Sequence, residues 1–263
     1  MKIGVNVKSA IFKNLGIESI IQLEKDSQHD VNGKFNQDSV YFPDLKDLQS
    51  LSEIVIKTGR TTILEFGCGW SSLVFAASLK VNSDNLGSVK EYRRNNPFEC
   101  HSVDSLDKYL SIAKDRIPQK FTSNIKFYQS KVAMVEWNGK IATEYNNLPL
   151  INPDFIYVDA PSIFDVEGDI NGWNTKHKDM MPMMCDVLKI EHFLTPKTII
   201  VVDGRAGNTR FLKCNLQRDW EYKYCKDRDQ HFFLLEEKPL GGYSKAIIEE
   251  LYFRNGTWNI NDL

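Results

Sequence analysis

Long apolar runs are missing from this 263-residue chain. Nothing in it approaches the roughly 18 consecutive apolar residues that a membrane-crossing helix needs, and the N-terminus lacks the hydrophobic region of a secretory signal. The expected setting is therefore soluble and cytoplasmic. Paired cysteines are missing too. The five cysteines, Cys68, Cys100, Cys185, Cys214 and Cys225, are odd in number and widely spaced, with no C-x-x-C. That argues against zinc binding and dithiol redox work and suits a reducing compartment. Charge of one sign is also scarce: 33 Lys and Arg stand against 35 Asp and Glu, a formal net charge of −2. No overall field draws polyanions, so nucleic acid is not an expected partner. There is no internal repeat and no low-complexity segment. Asn255-Gly-Thr257 has the letters of a glycosylation sequon, without the export that would give them meaning.

What is present is 42% hydrophobic residues, enough for one substantial core. Residues 43–57 carry Leu45, Leu48, Leu51 and Val55 at helical spacing, with Pro43 placed for the first turn and Gly59 for the end. A strand follows in residues 61–66, then a Gly67-Cys68-Gly69 turn, then a short apolar helix over residues 71–80 and a polar loop to Asn96. Further strands are predicted at 98–104, 125–128, 154–159 and 198–202. A helix begins at Ser105, another lies between 181 and 194, and a hairpin closes the series with strands at 221–226 and 231–236. Strands alternating with helices imply parallel βαβ units. The predicted fold is α/β and Rossmann-like, a doubly wound, mostly parallel seven-stranded sheet with a C-terminal antiparallel hairpin. Residues 43–240 form the binding domain, 241–263 are an extension, and 1–42, with Asn36-Gln-Asp38, Tyr41 and Phe42, are a candidate lid or a segment packed on the sheet.

The strand-turn-helix at residues 61–72 is the most informative stretch. Two glycines remove side chains where the chain turns sharply and a ligand can approach, and the following helix offers unpaired N–H groups. A nicotinamide fingerprint would place a third glycine where Ser72 stands. The run Glu65-Phe-Gly-Cys-Gly-Trp-Ser71 instead resembles the first motif, E/D-x-G-x-G-x-S/T, of class I S-adenosylmethionine (SAM) dependent methyltransferases. That resemblance implies SAM as cofactor. It places Glu65, Gly67, Cys68, Gly69, Ser71 and Ser72 at the methionine end, Asp104 on the ribose diol with Glu99 as fallback, and Ser130 and Val132 beside the adenine.

Asp159 ends the fourth strand, and the run Val158-Asp-Ala-Pro161 is similar to a V-D-A-P sequence of polysaccharide O-methyltransferases of the glucuronoxylan type. A carboxylate there can orient an acceptor hydroxyl or take its proton. Asp203 ends the fifth strand. Catechol-type O-methyltransferases bind a divalent metal with carboxylates at these two places and an Asn after the second. Here Gly204 occupies the Asn position, so Asp159 and Asp203 leave a Mg²⁺ site open but short of ligands, with Asn208 as a substitute if the loop folds back. His177 is an alternative base, since its unperturbed pKa permits proton acceptance near neutrality. His101 and Met180 to Met184 read as packing residues, although the methionines can also line an apolar pocket. Asp159-Ala-Pro-Ser162 lacks the N/D-P-P-Y/F of amino-methylating nucleic-acid enzymes and the cysteine of cytosine C5 enzymes. The expected activity is therefore O-methylation of a small-molecule or saccharide acceptor. A nicotinamide-dependent oxidoreductase and a non-catalytic SAM-binding protein are the alternatives, and the residues do not indicate an oligomeric state.

Overall fold

The computed structural model describes residues 10–26, 43–86, 95–177, 179–181 and 183–263. The helices are α1 (Ala10–Leu15), α2 (Glu18–Asp26), α3 (Leu45–Lys57), α4 (Trp70–Leu86), α5 (Asp107–Asp115), α6 (Asp186–Ile190), α7 (Ala206–Asn215) and α8 (Gly241–Ile247). The strands are β1 (Thr62–Phe66), β2 (Glu99–Asp104), β3 (Ile125–Gln129), β4 (Val132–Trp137), β5 (Lys140–Tyr145), β6 (Phe155–Val158), β7 (Val166–Glu167), β8 (Ile199–Asp203), β9 (Trp220–Cys225) and β10 (Gln230–Leu235).

Seven strands form one sheet in the order β3-β2-β1-β6-β8-β10-β9. Neighbours from β3 to β8 pair in parallel, while β10 runs antiparallel to both β8 and β9. The chain builds outward from β1 through β2 to β3, then returns to lay β6 on the other side of β1. Strand order therefore reverses between β1 and β6, and crevices for ligands open at the C-terminal ends of such strands. This is the expected Rossmann-like sheet with its terminal hairpin. β1 is buried along its whole length, as a central parallel strand covered on both faces must be. Ile63 joins the cluster packed under α3 and α4, whereas Leu64 and Phe66 join the cluster on the opposite face.

α3 follows the predicted leucine spacing, but its N-cap is Asp44, whose carboxylate accepts from the Lys46 and Asp47 N–H groups (2.9 and 3.3 Å); Pro43 lies outside. α4 runs six residues past the predicted Lys80. Its polar continuation is held because the Asn82 amide is buried and donates to the carbonyls of Val55 and Arg60 (2.9 and 2.8 Å). The helix expected between 181 and 194 shrinks to α6 and a short 3-10 turn over Glu191–Phe193.

One layer was not predicted. Residues 132–145 form the β4–β5 hairpin, which β7 extends to a three-stranded sheet in the order β5-β4-β7. It covers the large sheet where a βαβ unit would place a helix, with Val132, Met134, Ala142, Tyr145 and Val166 in the core. Both ends of the chain add to the opposite cluster, through Phe12, Leu15, Ile17 and Ile21 and through Leu251, Tyr252, Trp258 and Leu263. Asn36 to Asp38, Tyr41 and Phe42 lie outside the described residues. No helix among the described residues is long and apolar enough to cross a membrane.

Candidate cofactor and acceptor site

The glycine turn links the C-terminal end of β1 to the N-terminus of α4. Gly67 has φ +91°, and a Cβ there would meet the Asp159 carbonyl oxygen at 2.9 Å and the Ala160 Cβ at 3.0 Å. The loop after β6 therefore packs directly on Gly67, so the close approach that requires this glycine is made by protein. At Gly69 a Cβ would meet nothing within 4 Å. Gly69 is the glycine that opens onto free space, and it fits a ligand lying against the backbone.

Glu65 was expected at the methionine end of a bound cofactor. It is instead 0% exposed, beneath the turn. Ser71 Oγ donates to its Oε1 (2.5 Å) and Ser72 Oγ donates to its Oε2 (2.6 Å). Ser72 Oγ also accepts from the Gly69 N–H (3.1 Å). These three side chains thus clamp strand, turn and helix together. Burial pushes the Glu65 carboxyl up to about 7, against the opposing effect of its serine hydrogen bonds.

Asp104 ends β2 beside the turn. Its Oδ2 accepts from the Cys68 N–H (3.0 Å) and its Oδ1 from the Leu106 N–H (2.9 Å). Leu106, not Ser105, occupies the N-cap of α5 and has no side-chain cap of its own, so Asp104 assists the helix start as well. Each carboxylate oxygen has two lone pairs, leaving acceptor capacity for a diol. Burial raises the Asp104 pKa, and the backbone N–H bonds oppose that rise. The Cys68 thiol is pushed up by burial and then by the Asp104 charge, which keeps it protonated and unsuited to nucleophilic work. Glu99 stands at the far, N-terminal end of β2 opposite Thr62. There it holds Lys126 (2.9 Å) and His101 (3.0 Å), well away from the crevice. His101 is packed, as expected, between Glu99 and Tyr128.

Ser130 follows β3. Its N–H donates to the Asp104 carbonyl (2.9 Å) and its Oγ accepts from the Asn147 N–H (2.9 Å). Val132 is fully buried in β4. Both residues are thus already engaged by the protein, next to the end of β2.

Across the turn, Asp159 follows β6 with a side chain 48% exposed, and Arg205 Nε donates to its Oδ1 (3.1 Å). Arg205 Nη1 also donates to the Pro161 carbonyl (2.9 Å), and Asn208 Nδ2 donates to that of Ala160 (2.9 Å). Three side-chain contacts from α7 and its approach therefore fix the Asp159-Ala-Pro161 segment. Arg205 is the residue that orients Asp159. Asp203, at the end of β8, accepts from the Tyr157 hydroxyl (3.0 Å). Its pKa is pushed up to about 7 by burial first and by the Asp159 charge second.

The donor set does not suit Mg²⁺. Asn208, the proposed substitute ligand, is buried with Oδ1 accepting from the Met184 N–H (3.0 Å) and Nδ2 occupied as above. Among the described residues, no three His, Cys, Asp or Glu side chains are grouped to hold a metal ion. His177 is exposed (67%) and its Nδ1 accepts from the Asp179 N–H (3.2 Å), so the structure ties it to its own loop rather than to Asp159. Of the methionines, Met184 is core and Met181 is exposed.

No family model matches the chain, and no curated protein matches it. Among solved structures, it is similar to the O-methyltransferase from Bacillus cereus in complex with SAH, at 13% identity over 88% of this chain and 92% of that one, TM-score 0.42. It is also similar to the O-methyltransferase TomG from Streptomyces achromogenes, involved in tomaymycin synthesis and in complex with SAM, at 12% identity, 88% and 91% coverage and TM-score 0.43. A methyltransferase from Geobacter sulfurreducens gives 6% identity, 89% and 93% coverage and TM-score 0.43.

Proposed function

We propose that this chain transfers a methyl group from S-adenosyl-L-methionine to an oxygen of a small-molecule or saccharide acceptor. One observation carries the reading. On either side of the strand-order reversal, the Asp104 carboxylate, the Gly-x-Gly turn and the Asp159 carboxylate stand on the adjacent ends of β2, β1 and β6. This supports a ribose side at Asp104 and a reacting side at Asp159. The five cysteines are all free, which is in keeping with a cytoplasmic enzyme.

Bound there, the cofactor supplies an electrophilic methyl group. The protein's part is alignment and proton management. Gly69 leaves room along the backbone, and Asp104 keeps lone pairs for a diol while holding the turn in place. Asp159, held through Oδ1 by Arg205, retains Oδ2 to orient an acceptor hydroxyl and take its proton as the methyl moves. Asp203 is the neighbouring carboxylate on the acceptor side, and His177 is the alternative base should Asp159 prove dispensable.

Calorimetry with SAM, S-adenosylhomocysteine and NADH side by side tests the reading. Binding of the first two without NADH is expected. NADH binding in their absence would favour a nicotinamide-dependent oxidoreductase. SAM binding with no acceptor turnover, and an Asp159→Asn variant indistinguishable from the parent, would favour a non-catalytic SAM-binding protein.

A further inference from the structure

At the acceptor side of the sheet, the end of β8 meets the start of β10. Asp203 lies opposite Gln230 in the antiparallel ladder, so the two side chains rise from the same face, side by side. Val201 and Phe232, two residues along each strand, lie in the cluster with Leu48 and Leu51, which identifies that face as the one α3 covers. Gln230 is 0% exposed, and neither its Oε1 nor its Nε2 has a hydrogen-bond partner. A buried amide with both ends bare is costly and calls for a partner from outside the chain.

The surroundings of that amide are acidic. The charge of Asp47, in the first turn of α3, bears on Asp203, and those of Asp159 and Asp229 bear on Asp47. Arg228 fixes α3 over this corner by donating to Ser50 Oγ, one turn along from Asp47. The four carboxylates of Asp47, Asp159, Asp203 and Asp229 are set against two guanidinium groups, Arg205 and Arg228. Burial first and neighbouring carboxylates second push both Asp47 and Asp203 up to about 7, with Asp44 the largest such influence on Asp47, and Asp159 and Asp47 those on Asp203.

A divalent metal is a poor occupant, because it needs several oxygens about 2.0–2.6 Å from one point and no such grouping exists among the described residues. An alkylammonium or guanidinium group spreads its N–H donors more widely and is satisfied by separate carboxylates and an amide oxygen. We propose that Asp47, Asp203 and Gln230 bind a positively charged nitrogen group that the acceptor carries in addition to the hydroxyl to be methylated. Gln230 Oε1 accepts from that group, and Nε2 is left to donate to an oxygen of the same molecule. The word acceptor rests on the methyltransferase reading; the cation site does not.

The probe is methylammonium chloride, titrated into the full chain at constant ionic strength against a sodium chloride control. The response is followed by NMR at the Gln230 side-chain amide and the aspartate carboxyl carbons. A saturable shift of Gln230 and Asp203 is expected, with affinity falling at least tenfold in Asp203→Asn and in Asp47→Asn. Gln230→Leu exchanges a bare buried amide for an apolar group of similar size, so it should fold, and it should weaken the Asp203 response about fivefold. A shift that does not saturate, or that is equal in all variants, would overturn the proposal. So would Mg²⁺ moving the same resonances at lower concentration than methylammonium. SAM calorimetry on the same samples separates the two readings. Methylammonium saturation without SAM binding removes the methyltransferase reading and leaves the cation site standing, whereas SAM binding without methylammonium saturation removes the cation site alone.

Discussion

The Asp104 carboxylate grips the glycine turn itself, with Oδ2 accepting from the Cys68 N–H at 3.0 Å while Oδ1 accepts from the Leu106 N–H at 2.9 Å. A residue expected to contact a ribose therefore also sets the position of the Gly-x-Gly turn. Asp104→Ala should weaken SAM binding by about 1–3 kcal/mol through lost charge-assisted hydrogen bonds. It should also lower stability by about 1–2 kcal/mol, because two backbone N–H groups lose their acceptor. Calorimetry and urea unfolding on the same variant check both. An affinity loss with no stability loss would mean that the turn holds its shape without Asp104.

The two glycines should separate in experiment. At Gly67 the left-handed φ and the Asp159 carbonyl oxygen, 2.9 Å from where a Cβ would stand, leave no space, so Gly67→Val should disrupt the loop carrying Asp159 and lower Tm by several degrees. At Gly69 the open space means that Gly69→Val should fold with Tm nearly unchanged and lose SAM affinity at least tenfold. Undiminished affinity in a folded Gly69→Val protein would remove the turn from the cofactor site.

Much of this arrangement was legible in the sequence. Strand ends that finish in Asp104, Asp159 and Asp203 were visible because buried parallel strands read as short apolar runs and the acidic residues interrupt them. The direction of Glu65 was not legible. Strand alternation alone does not reveal that the Ser71 and Ser72 hydroxyls, six and seven residues on, fold back to cover its carboxylate. The β4–β5 hairpin, absent from the expected elements, does carry a readable signal: Asn138-Gly139, both at positive φ (49° and 71°), between two alternating apolar stretches. Arg205 escaped as an orienting group because its partners Asp159 and Pro161 lie more than forty residues away in sequence and are brought together only by the parallel pairing of β6 with β8.

The buried Glu65 carboxyl makes stability depend on pH. Its folded pKa of about 7 lies above the usual 4.5, so between those values the folded chain holds a proton that the unfolded chain releases. This contribution is fully present below about pH 4.5 and is lost as pH rises through about 7. Its size is roughly 3 kcal/mol, taking about 1.4 kcal/mol for each pKa unit. Glu65→Gln cannot ionise, so its stability relative to the parent should rise from pH 5 to pH 8, as measured by urea unfolding. A constant difference across that range would show that Glu65 is already ionised in the folded protein at low pH.

Asp159 and Arg205, the residue that holds it, should respond differently to substitution. Asp159→Asn keeps the shape of the side chain and removes its charge and basicity, so SAM affinity should stay within about twofold while turnover falls on the order of 10²-fold, the usual worth of a general base. Arg205→Met leaves the carboxylate in place but frees it from its 3.1 Å partner, so turnover should also fall with SAM binding intact. Because it raises the basicity of Asp159, it should move the acidic limb of the pH–rate profile upward, a change that mere loosening of the loop would not produce. The same assay bears on metal. With Gly204 contributing no side-chain ligand and Asn208 committed to Met184 and Ala160, activity should persist in chelator. Loss of activity in chelator and its return with Mg²⁺ would instead place the ion between Asp159 and Asp203 and make Asp159 a ligand rather than a base.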